Sequence, residues 1–164
     1  MKIKSVHYTP RFSPGPSTLP QLLSILGPNL KRLCFSYSHN LDLKVVLEVI
    51  ESRRSTIKEI SFVGCNVTDD FLKSISKLKE LDLLSICLRQ CYGITYFGLR
   101  ELIRSNRNCE KFSLSMNRWG NLISGELMLV ISEFLPKIRC LRLRGEICYT
   151  EVSFRYFNLF HKLF

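Results

Sequence analysis

The sequence predicts an α/β fold, a solenoid built from about six stacked repeats that each run strand, turn and helix. Three observations predict it. Apolar residues recur with one strand-like spacing at six places along the 164 residues. A threonine follows that spacing at several of them, and an apolar pair with helical spacing comes next. Features that recur in one register indicate a repeat architecture.

The strand half of the repeat is clearest at Leu83, Ile86, Leu88 and Cys91, which occupy positions one, four, six and nine of the frame LxxLxLxxC. Positions four and six lie on one side of a period-two element and are expected to point into the core. Repeats start at 3, 30, 57, 83, 109 and 138, and the match at 3 is the weakest. The other five frames are Ile3, Val6, Tyr8, Arg11; Leu30, Leu33, Phe35, Ser38; Ile57, Ile60, Phe62, Cys65; Cys109, Phe112, Leu114, Asn117; and Ile138, Leu141, Leu143, Glu146.

The helical half follows each strand. Thr68, Thr95 and Thr150 precede helical patterns and suit the N-cap position, where a hydroxyl accepts a free backbone N–H. Gly98 is expected to let its helix approach a neighbouring helix closely. The predicted inward-facing pairs are Val46 and Val49; Leu72 and Ile75; Leu99 and Leu102; Leu127 and Val130; and Phe154 and Phe157.

A single domain over residues 1–164 is predicted, because one unit cannot bury its own apolar face but stacked units can. The last helix, in "YTEVSFRYFNLFHKLF", carries Phe160, Leu163 and Phe164 with no polar cap after them. It either folds over the last repeat as its own cap, or belongs to a longer array, or is covered by a partner. No apolar run approaches the roughly 20 residues of a membrane helix, so a membrane is not an expected partner.

The segment "LLSICLRQCYGITYFGLREL" resembles the cysteine-containing subtype of the leucine-rich repeat family, whose pattern is LxxLxLxxCxxITDxGLxxL, with Tyr96 in place of Asp. "IKEISFVGCNVTDDFLKSI" matches as well, with Phe71 in place of Gly. The resemblance covers nearly the whole chain. It implies a curved solenoid with a parallel sheet on the concave face and helices on the convex face.

The seven cysteines are expected to be free thiols in a reducing compartment, because their number is odd and no secretory signal is visible. Cys65 and Cys91, at position nine, are expected to turn inward and satisfy backbone groups, and Cys109 to be core. Cys34, Cys87 and Cys140 fall on the outward side of their strands. No CxxC pair occurs and His39 alone lies near a cysteine, so no zinc site and no other cofactor is predicted.

Positions three, five and seven of each strand should form the concave surface. Its floor is mostly small and polar, which leaves room for another chain. Its charges, the candidate partner-binding residues, are Arg32, Glu59, Arg89, Lys111, Arg142 and Arg144. With a net charge of +10, this surface predicts a protein partner that presents an acidic or phosphorylated segment. Nucleic acid is not expected, because this face shows no aromatic platform for stacking bases. Tyr37 and Trp119, at or past strand ends, are candidates for its rim.

The resemblance implies a protein-interaction module of the F-box/LRR type, which recognises substrates for SCF ubiquitin ligases in protein degradation. The location it implies is the cytoplasm, with the nucleus as an alternative. "STLPQLLSILGPNL" begins like an F-box, but the expected Val-Cys and Trp are absent and "NLKRLCFSYS" reads as a repeat strand. A Skp-type adaptor is therefore not predicted as a direct partner.

The alternative is a non-ligase scaffold or adaptor, such as a mitochondrial assembly factor for respiratory complexes. It is supported by the lack of any Asp or Glu before Asp42, which fits a transit peptide. An enzyme is not predicted and no catalytic residue is assigned, because GxSxG, HExxH and P-loop motifs are all missing.

Overall fold

The computed structural model describes residues 4–9, 28–115 and 125–145. Within these ranges the chain forms six strands and four helices. The strands are β1 (Ser5–Tyr8), β2 (Arg32–Ser36), β3 (Glu59–Val63), β4 (Ser85–Arg89), β5 (Lys111–Ser115) and β6 (Cys140–Arg144). The helices are α1 (Leu43–Ser52), α2 (Asp69–Ser76), α3 (Tyr96–Ser105) and α4 (Gly125–Phe134), and each lies between two consecutive strands from β2 onward.

All six strands belong to one parallel sheet in the order β1-β2-β3-β4-β5-β6. The register pairs the same repeat position across every strand. Position three, for example, aligns Ser5, Arg32, Glu59, Ser85, Lys111 and Cys140. This confirms the predicted α/β solenoid and the frame in which its strands were read, including the strand in "NLKRLCFSYS".

The backbone repeats as regularly as the sequence. The Lys4 carbonyl, just before β1, accepts the N–H groups of Lys31 at 2.9 Å and Arg32 at 3.1 Å. The carbonyls of Lys31, Lys58, Leu84 and Glu110 each accept two N–H groups from the next repeat in the same way. Each repeat is therefore hydrogen-bonded to its neighbour before the strand ladder begins, which fixes the register along the array.

The core lies between the sheet and the helices. The inward positions of β2 to β5 are fully buried, and the rings of Phe35 and Phe62 stack with centroids 5.4 Å apart. Phe71 of α2 packs edge-on against Phe62 at 5.6 Å, so it fills the space between helix and sheet at the position where the pattern that the sequence resembles has glycine. The predicted inward-facing pairs of α1 to α4 are all buried.

The predicted helix caps are confirmed at Thr68 and Thr95, whose hydroxyls accept the N–H of Phe71 and Phe97. Helix α1 is capped by Asp42, which accepts from Lys44 at 3.0 Å and Val45 at 3.3 Å. The sequence carried this signal, an Asp directly before a helical pattern.

Several predictions fall outside the described residues. They concern the first frame's ends Ile3 and Arg11, the segment that begins like an F-box, Trp119, the position-nine residues Asn117 and Glu146, and Thr150 with the terminal helix. Among the described helices, none has the length and apolar character that crossing a membrane demands.

Position eight of the repeat ends β2, β3 and β4 with a left-handed turn. Tyr37, Gly64 and Gln90 have φ values of 54°, 62° and 51°. Each donates its N–H to the carbonyl at position seven of the next strand, with Tyr37 reaching Val63 and Gly64 reaching Arg89. Because two of these residues are not glycine, bulky side chains are presented at the edge where the strands end.

Candidate protein-interaction surface

The floor of the surface is the sheet face turned away from the helices, which we call the concave face. Half of its positions three, five and seven carry serine or cysteine, and these side chains are half-buried. Cys34, Cys87 and Cys140 lie here, as predicted, and are partly exposed. Short side chains keep this floor low, so a partner's backbone can approach the sheet.

Two of the predicted site residues neutralise each other. Arg32 and Glu59 occupy position three of β2 and β3, and their side chains form an ion pair with Nε and Oε1 3.0 Å apart. Because the Glu59 carboxylate balances the charge of Arg32, this arginine adds little net positive charge to the concave face. The β2–β3 half of the concave face is close to neutral.

The other four predicted site residues lie together on β4 to β6. Arg89, Lys111, Arg142 and Arg144 are all exposed and line one cavity of about 440 Å³, which we call the basic groove. Within the described ranges no acidic side chain pairs with any of the four. The serines at 85, 113 and 115, the thiols of Cys87 and Cys140, and parts of Ile86, Phe112 and Leu114 complete its lining. Such a groove suits an oxyanion, since arginine binds carboxylate or phosphate through two parallel hydrogen bonds.

The position-nine cysteines are structural, as predicted. The Cys65 thiol lies 3.6 Å from the Phe35 carbonyl of the preceding repeat and 3.4 Å from the Val63 carbonyl of its own strand. Cys91 reaches the carbonyls of Phe62 and Arg89 in the same arrangement. Each S–H donates where the strand ends, and each side chain is buried.

Burial also sets the ionisation of these thiols. It raises the pKa of Cys91 to about 12 and that of Cys109 to about 11, against only partial compensation by backbone hydrogen bonds. The pKa of Cys65 is raised by burial as well. Thiols held neutral in this way are poor nucleophiles and poor metal ligands. In the described part of the chain no three His, Cys, Asp or Glu residues are grouped so that they could hold a metal.

An aromatic cluster borders the concave face where β2 to β4 end. It consists of Tyr37, His39 and Tyr92, which we call the aromatic rim. Tyr37 and Tyr92 are 59% and 50% exposed, and the rings of His39 and Tyr92 lie 6.3 Å apart. The sequence indicated Tyr37 as a rim residue but not the approach of His39 to Tyr92 beside it. In the sequence, the three rim residues share one feature: each lies at position eight or ten of its repeat, just after the strand ends.

The helix side has a larger depression, of about 600 Å³, lined by Lys73, Ser76, Lys77, Phe97, Glu101, Arg104 and Ser105. Its charges are mixed, and Lys73 pairs with Asp70 at 3.7 Å. The Arg104 guanidinium lies over the ring of Phe134 at 5.0 Å from its centroid. The basic groove is smaller, but all of its charged side chains are positive, so it is the better candidate for recognising a charged ligand.

Comparison with known proteins supports the fold. No protein-family model matches the chain, and no curated protein matches its sequence. Among solved structures, the tropomodulin C-terminal domain of Caenorhabditis elegans superposes with a TM-score of 0.60 at 14% identity, covering 89% of this chain and 91% of that one. At this identity the likeness shows the fold alone, which is a solenoid of the leucine-rich-repeat type.

Proposed function

We propose that this chain is a protein-interaction module whose basic groove holds an acidic or phosphorylated segment of a partner protein. The observation that carries the proposal is the convergence of Arg89, Lys111, Arg142 and Arg144 around one cavity with a low serine floor. The described residues supply no carboxylate to neutralise them. Repeated like charges in a concave site attract a ligand of opposite sign and are stabilised by binding it.

We further propose substrate recognition of the F-box/LRR type, in ubiquitin-dependent degradation by an SCF ligase in the cytoplasm or nucleus. Two features support this finer assignment. The third and fourth repeats resemble the cysteine-containing subtype, and Cys65 and Cys91 make matching hydrogen bonds to the strand ends. Because no F-box is evident in the sequence, direct binding of a Skp-type adaptor is not part of the proposal.

The test is affinity purification with mass spectrometry of the wild type and of Arg142→Glu/Arg144→Glu. The control is Lys77→Glu/Lys79→Glu, which changes the net charge equally at exposed residues that follow α2 and do not line the basic groove. We expect the concave variant to lose its main partner and the control to retain it. If the concave variant keeps every partner, the basic groove is not the binding surface.

The same purification separates the finer alternatives. Ligase components among the partners, such as a cullin, support substrate recognition for degradation. Import into mitochondria with loss of roughly the first 30 residues, together with subunits of a respiratory complex, supports the scaffold alternative.

A further inference from the structure

The aromatic rim is a fixed surface. The Tyr37 ring lies against Gly64 of the next repeat, and a Cβ built on Gly64 would stand 2.9 Å from Tyr37 Cδ1. Any other residue at position 64 would therefore displace the ring. Tyr37 itself has the left-handed backbone that non-glycine residues rarely adopt. A bulky ring held in a costly conformation and left exposed is a frequent mark of a binding site.

His39 and Tyr92 complete the rim because the repeat between them is short. They occupy position ten in the second and fourth repeats, where the third has Asn66. The third repeat also reaches its helix cap one residue sooner than its neighbours, at Thr68. Rings from non-adjacent repeats can then approach each other across it, with centroids 6.3 Å apart.

The rim and the basic groove meet at Arg89. Tyr37 donates its N–H to the carbonyl of Val63, which is partly exposed, and Val63 pairs in register with Arg89. Arg89 is the last residue of β4 and lies three positions before Tyr92. A chain crossing the strand ends from β2 to β6 would thus meet an apolar surface first and a cationic one next.

We propose that the partner segment, in the interaction proposed above, is extended and bipartite: an apolar side chain packs on the aromatic rim, and a carboxylate or phosphate about three residues away binds in the basic groove. Parallel strands lie about 4.8 Å apart, so the middle of the rim at β3 and the middle of the groove at β5 are separated by roughly 10 Å. An extended chain covers that distance in about three residues at roughly 3.4 Å each.

The geometry favours a protein segment over single-stranded nucleic acid. Base stacking needs open ring faces on the surface that follows the phosphates. Here the exposed rings belong to the aromatic rim at the strand ends and do not line the cavity around which the four cations lie. The concave positions of the described strands carry no Phe, Tyr or Trp, so the groove itself offers no ring to a base.

The experiment uses the full chain and fluorescein-labelled ten-residue peptides of Gly and Ser that contain one Leu and a pair of acidic residues. The spacing between Leu and the acidic pair is varied from one to seven residues, and the pair is Glu-Glu in one series and phosphoserine-Glu in the other. Binding is measured by fluorescence anisotropy at two salt concentrations. A ten-nucleotide single-stranded RNA is measured in parallel.

The rim variant is Tyr37→Gly/Tyr92→Ser, which removes two rings while placing glycine at a left-handed position, so folding is preserved. Its control is Phe97→Ser, which removes an aromatic residue that is 64% exposed on the helix side. We expect the tightest binding near a spacing of three. The rim variant should weaken it by about tenfold, since a buried aromatic contact commonly carries that much affinity, and the control should not.

If the affinity does not depend on the spacing between Leu and the acidic pair, or is unchanged in the rim variant, the proposal of a bipartite segment is wrong. If Arg142→Glu/Arg144→Glu still abolishes that binding, the proposed function stands. Failure of every peptide to bind also overturns the bipartite segment, while the function is judged by the co-purification. Tighter binding of the RNA than of any peptide overturns both.

Discussion

The carboxylate of Asp69 joins two consecutive helices by accepting the backbone N–H of Thr95 at 2.7 Å and the Thr95 hydroxyl. That hydroxyl in turn accepts the N–H of Phe97 at 3.2 Å. The first turn of α2 thus holds the N-cap of α3. In the next repeat Tyr96 stands where Asp69 stands here, so its side chain cannot accept these hydrogen bonds as a carboxylate does.

Asp69→Ala should lower the free energy of unfolding by about 0.5 to 1.5 kcal/mol, because it removes two hydrogen bonds to a charged acceptor at a site where water replaces them in part. Urea denaturation followed by circular dichroism measures this. Asp70→Ala is the matched control, since Asp70 is exposed on the same helix and its pair with Lys73 lies at the surface. Equal losses in the two variants would contradict the inter-helix role of Asp69.

Gly98→Ala should also destabilise the protein, by about 1 to 3 kcal/mol, because the added methyl group meets the backbone of the preceding helix, α2. A Cβ at Gly98 would lie 2.9 Å from the Asp69 Cα, and that atom cannot rotate away. Ser105→Ala on the same helix is the control. A gain in stability, as helix propensity alone predicts for glycine to alanine, would show that the helices can separate at little cost.

Much of the fold was predictable because the repeats share one spacing, so the frame of one repeat predicts the strand positions of the others. The frame that contains Cys65 and Cys91 predicts the strand register, and period-two alternation then predicts which thiols point inward. The Arg32–Glu59 pair was also implicit, since both lie at position three of adjacent strands. Of the aromatic rim only Tyr37 was predictable. The rest was not, because the rim depends on a left-handed turn at a residue that does not usually adopt one and on contact between His39 and Tyr92 of non-adjacent repeats.

Gln90→Gly should stabilise the protein by about 1 kcal/mol, because a left-handed backbone costs a non-glycine residue roughly 1 to 2 kcal/mol and glycine recovers most of it despite its larger entropy in the unfolded chain. Gln90 is exposed and has a φ of 51°. Thermal unfolding measures the change. Gln90→Ala is the control: it removes the same side chain but keeps the backbone cost, so a similar gain would point to the side chain instead.

The six described cysteines should divide into two classes in a thiol-labelling experiment. Cys34, Cys87 and Cys140 are partly exposed on the concave face, whereas Cys65, Cys91 and Cys109 are buried and have raised pKa values. With N-ethylmaleimide at neutral pH, peptide mass spectrometry should find Cys87 and Cys140 modified first. The pKa of Cys34 is raised by its burial, so its labelling should lag behind theirs. Early modification of Cys91 in the native protein would contradict its buried, hydrogen-bonded placement.

The buried thiols should make the protein less stable as the pH rises above 9. A cysteine in the unfolded chain has a pKa near 9.0. In the folded protein burial raises the pKa of Cys109 to about 11 and that of Cys91 to about 12. The folded state therefore binds more protons in that window. Their contribution is complete below pH 9 and is lost as the pH rises toward 12, each thiol removing about 1.4 kcal/mol per pH unit.

Urea denaturation at pH 8, 9 and 10 with a reductant present measures this slope. Cys91→Ala/Cys109→Ala should be less stable at pH 8 but should lose less stability per pH unit than the wild type above pH 9. Ile103→Val, at a fully buried position, reduces stability without removing a thiol and should keep the wild-type slope. An unchanged slope in the double cysteine variant would show that these thiols do not control the alkaline loss, because only their removal takes away the proton difference between the folded and unfolded states.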